Sequence, residues 1–152
     1  MPSLTQRVPL GGAPRHWRSL LAVELLAVGA LVVSMLVTLA TPDSRVGVPS
    51  RVYQSLLVTV VFGLPPLVGL ATGVLDGGLL RAVALAVLPS LAWTLTVPVG
   101  YALRRALGYG LPIADSPLWA IAGVFAATGL VEGVVGFLVG RGGLLLWRRQ
   151  GN

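Results

Sequence analysis

Four long apolar stretches, each of 24 or 25 residues, follow one another along the sequence, with few charged residues inside them. A bilayer core about 30 Å thick takes about 20 residues of α-helix to cross, and all four stretches meet that length. Inside lipid, a single isolated segment satisfies its backbone only as a helix. The sequence therefore predicts an all-α, polytopic membrane protein, a four-transmembrane-helix bundle with spans at 17–40, 52–75, 79–103 and 117–140.

The segments between the spans are too short to hold a soluble domain. They comprise residues 41–51, 76–78 and 104–116. Residues 1–16 are rich in proline and glycine, which predicts a flexible cytoplasmic tail. The domain organisation that follows is a tail at 1–16, a single transmembrane domain at 17–147 and a short cytoplasmic tail at 148–152.

Composition supports a membrane location and excludes several kinds of chemistry. The chain is 55% hydrophobic and only 11% charged, against about 25% charged in soluble domains. Its net charge of +6 comes from arginines beside apolar segments, which favours lipid head groups as partners and argues against nucleic acid. There is no cysteine, and His16 is the single histidine, so we predict no metal site and no cofactor.

Prolines interrupt the second and third spans, which the 76–78 connection joins as a tight antiparallel hairpin. Each proline lacks an N–H and frees the carbonyl four residues earlier, so both helices are predicted to be kinked. One interpretation is a broken-helix binding site at mid-membrane, as transporters use. The alternative is that the prolines only shape the helices. The residues that would line such a site are Thr59, Pro65, Pro66, Pro89, Ser90 and Thr94.

Small residues cover one face of the fourth span, at spacings that allow close helix packing. Three pairs are separated by three residues each, a spacing typical of membrane helix contacts. This face is a predicted helix-packing groove, through which the chain could also bind a second copy of itself or another membrane protein. Its members are Ala122, Ala126, Gly129, Gly133, Gly136 and Gly140.

Two acids lie inside apolar spans, Glu24 in the first and Glu132 in the fourth. Counting about 1.5 Å per residue from the span ends places them at similar depth, about 10 to 12 Å in from the same side. Arg81 is the best-placed cation to reach them. One interpretation is a site that binds protons or cations, and the alternative is an ion-paired or hydrogen-bonded structural staple between helices.

A chain of four spans with a glutamate in the first resembles the small multidrug transporters, which exchange protons for cationic drugs. The similarity covers Glu24 and the helix count only. The flanking residues HWRSLLAVELLAV depart from that family's motif and this chain is longer, so no residue roles carry over.

The sequence favours a non-catalytic membrane subunit or helix-packing partner. The alternative function is a small proton- or ion-coupled transporter or channel that uses Glu24 and Glu132. No Ser/His, His/Glu or paired-Asp arrangement lies at membrane depth, so an enzyme is not expected.

Arginine distribution predicts the orientation of the chain. With both termini in the cytoplasm of a prokaryotic cell, seven arginines lie on the inner side of the plasma membrane and four on the outer. Trp17, Trp119 and Trp147 fall near span ends, as interfacial anchors do. A cleaved signal peptide ending at Ala40 is the competing interpretation of the first span, but its length and Glu24 favour a retained anchor.

Reporter fusions at residues 46 and 110 test this topology. Both positions should report the outer side of the membrane, because each lies in a connection between an outward and an inward span. A cytoplasmic signal at either position would contradict the arginine-based orientation. Loss of the first forty residues, visible in the intact mass, would instead show that the first span is cleaved.

Overall fold

A computed structural model of the protein describes residues 14–75, 77–110 and 117–150. Residues 1–13 of the flexible tail predicted at 1–16, and residues 151–152 of the tail predicted at 148–152, lie outside the described residues. Within the described ranges the chain forms helices joined by short connections. In order these are α1 (Pro14–Ala40), a 3₁₀ turn (Asp43–Arg45), α2 (Gly47–Val58), a π-helical turn (Thr59–Gly63), α3 (Leu64–Val74), α4 (Leu79–Ala106) and α5 (Leu118–Gln150).

Four helical segments are long and apolar enough to cross a membrane, which confirms the predicted four-helix membrane fold. Span 1 lies within α1, span 2 is the continuous run from α2 through the π turn to α3, span 3 is α4 and span 4 is α5. Much of their surface is exposed leucine and valine, including Leu26, Leu67 and Leu95. Such a surface suits a lipid environment, where apolar side chains need no cover.

The helices are longer than the sequence predicted. Span 2 begins at Gly47, within the segment expected to be a connection, and α5 continues to Gln150 instead of ending at Gly140. Residues 14–16 and 148–150, expected in the tails, are also helical. Hydropathy marks the part of a helix that lipid covers, whereas a helix can continue into the head-group region. Arg148 and Arg149 in the last turn of α5 favour that continuation, because cations stabilise a helix C-terminus.

Span 2 is interrupted near its middle, where Pro65 and Pro66 follow the π turn. Two consecutive residues without an N–H cannot continue the α-helical hydrogen-bond ladder. The helix widens directly before them and then resumes as α3, with both prolines in its first turn. In span 3, by contrast, Pro89 and Pro98 lie inside an uninterrupted α4.

In the bundle, α3 and α4 pack against each other, and α1 and α5 lie on opposite sides of this pair. The most extensive contact is between α3 and α5, followed by that between α4 and α5. α1 packs on α4 and α2, and the backbones of α1 and α5 do not come within packing distance in the described part of the chain. α3 and α4 lie side by side as the hairpin prediction required, and Gly78 takes a positive φ of 84° at their junction.

The contact between α3 and α5 is made backbone to backbone. A Cβ at Gly136 or Gly140 of α5 would collide with the carbonyl oxygens of Pro66 and Leu70, respectively. In the other direction, a Cβ at Gly69 or Gly73 of α3 would collide with carbonyl oxygens of α5. The four glycines of the small-residue face of α5 are therefore packed against the chain's own helices, while Ala122 and Ala126 of that face are half-buried. Sequence analysis missed its counterpart on α3, although Gly69 and Gly73 show the same spacing.

Replacing Gly136 with alanine should destabilise the bundle by about 1–3 kcal/mol, because the added methyl group needs space that the Pro66 backbone occupies. Gly123→Ala and Gly142→Ala are matched controls on the same helix, since a Cβ at either position meets nothing within 4 Å. These two should not destabilise the bundle and should raise the unfolding free energy by up to about 1 kcal/mol, because alanine has the higher helix propensity. Denaturant unfolding in mixed micelles measures all three, and equal effects would contradict the close contact.

Candidate functional site

Glu24 is the most deeply buried charged residue that the structure describes. Its side chain is 0% exposed, on the face of α1 that also carries the buried residues Val28 and Leu31. Neither carboxylate oxygen has a hydrogen-bond partner within the described part of the chain. A buried acid that holds two helices together is expected to have a donor on the neighbouring helix. Glu24 does not show that arrangement.

The register between α1 and α4 places Glu24 at about the same height in the bundle as a second polar group without a partner among the described residues. The guanidinium of Arg81 lies over the Trp17 ring at one end of this helix pair, and Arg104 Nη1 donates to the Leu39 carbonyl at the other. Each residue of α1 therefore lies at about the same height in the bundle as the residue of α4 that follows it by about 64 positions in the sequence. Glu24 is thus level with the turn of α4 that leads into Ser90. The Ser90 hydroxyl is buried and also lacks a partner among the described residues.

Glu132 lies at the same level of the bundle but in different surroundings. Gly129 and Gly133 on either side of it face Ala86 of α4, which fixes its height. Its side chain is half-buried, and it lines a shallow lateral cleft of about 410 Å³ together with Ala127, Thr128 and Val131. Its Oε2 is buried without a partner in the described structure. Glu24 and Glu132 therefore lie at similar depth, as the sequence predicted. Glu132, however, borders the outer surface of α5 and does not lie wholly inside the packing groove.

The structure does not bring the predicted cluster of Glu24, Glu132 and Arg81 together. The two acids are on α1 and α5, whose backbones do not pack against each other in the described ranges. Arg81 donates to the Gly77 carbonyl at 3.4 Å, and its guanidinium carbon is 5.7 Å from the centre of the Trp17 ring. The arginine is therefore engaged by its own helix end and an interfacial aromatic side chain, where its charge stays near water.

The residues predicted to line a broken-helix site are only partly brought together inside the bundle. Pro65, Pro89 and Ser90 are buried in the bundle, Pro66 is half-buried, and Thr59 is exposed. Hydroxyl groups were expected to cover the carbonyls that the prolines free. Instead, the Thr94 hydroxyl donates to the Ser90 carbonyl at 2.7 Å, within its own helix. A threonine in a helix reaches the carbonyl four residues earlier most easily, and here that carbonyl is not one that a proline releases.

An aromatic cluster at the centre of the bundle escaped the sequence analysis. Phe125 of α5 makes edge contacts with Phe62 of the π turn, at 5.4 Å between ring centroids, and with Trp93 of α4, at 5.1 Å. The indole Nε1–H of Trp93 donates to the Tyr53 hydroxyl at 2.7 Å. The position of Trp93 in the middle of span 3 could have indicated this cluster, since a tryptophan there cannot be an interfacial anchor.

Arg104 is the second residue whose role was missed. It is buried at the end of α4, where its Nε donates to the Gly110 carbonyl at 2.6 Å and Nη1 donates to the Leu39 carbonyl at 3.4 Å. Its Nη2 pairs with Asp43, whose side chain is 80% exposed. One side chain thus joins the end of α1, the 3₁₀ turn and the connection after α4. We call this side of the bundle the Arg104 end.

Comparison of the chain with protein-family models, curated protein sequences and solved structures found no match. The site is therefore interpreted from its own geometry.

Substitution of Arg81 tests whether it stabilises either acid. Because Arg81 contacts Trp17 and Gly77, the changes Glu132→Gln and Arg81→Gln should alter the unfolding free energy additively, within about 0.5 kcal/mol. The same should hold for Glu24→Gln with Arg81→Gln. Recovery of stability in either double variant, relative to the single acid variant, would show an ion pair that the structure does not contain.

Proposed function

We propose that this chain is a small proton- or cation-coupled membrane transporter or channel, in which the Glu24 carboxyl binds the ion. The observation that carries the proposal is the complete burial of this acid inside span 1, with both oxygens unpartnered among the described residues. An ionisable residue at membrane depth is costly to insert, by a few kcal/mol on insertion scales. Such a residue, left without a structural partner, is available to exchange a proton or bind a cation.

Other helices carry further oxygen atoms near the middle of the bundle. Ser90, level with Glu24 on α4, offers a buried hydroxyl without a partner among the described residues. In span 2, Pro65 and Pro66 provide no N–H for the carbonyls of Val61 and Phe62, and Val61 is completely buried. Hydroxyl and freed carbonyl oxygens near the middle of a bundle are the groups with which broken membrane helices coordinate small cations.

The π turn before Pro65 supports a functional interruption of span 2. Single π turns inside α-helices occur frequently at functional sites, because the extra residue leaves backbone groups without a regular partner. Here the turn lies between α2 and α3, and Phe62 within it contacts the aromatic cluster. Rearrangement at this point would move α2 relative to α3 while α3 stays packed on α5.

A non-catalytic membrane subunit is the second candidate function, favoured by the position of Glu132. This acid borders a cleft that opens sideways from α5, with one oxygen buried and unpartnered in the described structure. A partner helix with a hydrogen-bond donor would satisfy it. Such a partner would use the cleft lined by Ala127, Thr128 and Val131, because α3 and α4 already occupy the glycine face.

The proposal is tested with purified protein in liposomes that contain a pH-sensitive dye. Wild-type protein should dissipate an imposed pH gradient, alone or with an added monovalent cation gradient, and Glu24→Gln should abolish this flux. Glu24→Asp keeps the carboxyl and should retain part of the activity. Glu132→Gln is the matched control at the same depth and should transport like the wild type.

Infrared difference spectroscopy separates loss of the ion site from loss of folding. Titration of the wild-type protein should reveal a carboxylic C=O band that Glu24→Gln lacks and Glu132→Gln keeps. Equal flux in wild type and Glu24→Gln would contradict the ion-site proposal. A partner that copurifies in fixed ratio and is released by Glu132→Gln, in a protein without flux, would establish the subunit function instead.

A further inference from the structure

A separate cavity of about 150 Å³ lies between α1, α2 and α4, towards the Arg104 end. Three aromatic side chains form part of its wall, Tyr53, Trp93 and Tyr101. The aliphatic side chains of Met35, Leu39 and Val97 form much of the rest. Met35 is eleven residues beyond Glu24 on the same helix, about 16 Å along its axis. The cavity is therefore distinct from the ion site and does not depend on the proposed function.

The Tyr53 hydroxyl is a polar group of the wall that a hydrogen bond holds in position and that still has an unused donor. Trp93 Nε1–H donates to the Tyr53 hydroxyl oxygen, so this oxygen acts as an acceptor. A phenol also has a proton to donate, and no acceptor for it occurs among the described residues. The Thr38 hydroxyl in the wall is used within its own helix, where it donates to the Ser34 carbonyl, and the Tyr101 hydroxyl is not held by a bond to Trp93. The cavity thus combines largely apolar walls with a donor that is held in position, which is the usual composition of a small-molecule site.

The charge around the cavity favours a neutral ligand. Its described lining contains no acidic residue. Arg104 lies one helical turn beyond Tyr101, and its guanidinium bonds the carbonyl of the lining residue Leu39. Asp43, an acid of the 3₁₀ turn on that side, is paired with this arginine and turned outward. Among the described residues, no carboxylate in the cavity wall is therefore available to pair with a cationic ligand.

We propose that this cavity binds a neutral, membrane-soluble molecule about the size of one six-membered ring, whose carbonyl oxygen accepts a hydrogen bond from Tyr53. The size follows from the volume, because an apolar cavity of about 150 Å³ accommodates benzene. The aromatic walls favour a flat ring, and the Tyr53 hydroxyl selects a molecule that carries an acceptor.

Two fluorinated probes of similar shape test this assignment, 4-fluoroacetophenone with a carbonyl acceptor and 1-ethyl-4-fluorobenzene without one. Their binding is measured by ¹⁹F NMR on the full chain in lipid nanodiscs, with empty nanodiscs correcting for partition into lipid. The ketone should bind the wild-type protein more tightly than the hydrocarbon. Tyr53→Phe should weaken ketone binding about fivefold, the effect of one hydrogen bond, and leave hydrocarbon binding unchanged.

Tyr109→Phe is the control, because it removes a tyrosine hydroxyl from a side chain that lies beside Arg104 and outside the described wall of the cavity. It should bind both probes like the wild type, and thermal unfolding of each variant checks that the bundle is intact. Equal binding of the two probes, or equal losses in both tyrosine variants, would overturn the role of Tyr53. Tighter binding of trimethylphenylammonium would overturn the neutral class, and binding no greater than to empty nanodiscs would overturn the site.

Discussion

The backbone contact between α3 and α5 is the constraint on which the rest of the bundle depends. In lipid, apolar side chains gain little by leaving one apolar surface for another, so helices associate through close packing and polar contacts. Here glycines on both helices let carbonyl oxygens of one approach the backbone of the other. Gly136 faces Pro66, so the interruption of span 2 lies directly against this contact. The π turn and the two prolines of span 2 are thereby supported by the closely packed contact between α3 and α5.

Two acids at one level of the bundle show how surroundings, and not depth alone, distinguish ionisable groups. Glu24 is enclosed by the packed interior, whereas Glu132 borders a cleft on the outer side of α5. An acid inside the bundle can reach solvent only if the helices around it rearrange. An acid beside the cleft meets lipid or another protein directly. The two residues therefore suit different functions, although a hydropathy plot treats them alike.

The number of spans and the close contacts of α5 could be predicted because each depends on residues near one another in sequence. Hydropathy defines a span, and glycine spacing marks one face of a helix, as Gly133 and Gly136 illustrate. The partners of charged groups could not be predicted in this way. Arg81 binds Trp17, 64 positions away, and Arg104 joins Leu39 and Asp43, more than 60 positions away. Such pairs depend on the register between helices, which is set by packing across the whole bundle.

The unequal lengths of the helices have a consequence for the bilayer around the protein. α5 has 33 residues, about 50 Å of helix, while α1 has 27, about 40 Å. A helix longer than the hydrocarbon core tilts, projects beyond it or thickens the lipid nearby. Because α5 is locked to α3 along its glycine face, it cannot tilt independently of the bundle. The protein should therefore prefer membranes of a particular thickness, with Arg148 and Arg149 among the phosphates of one leaflet.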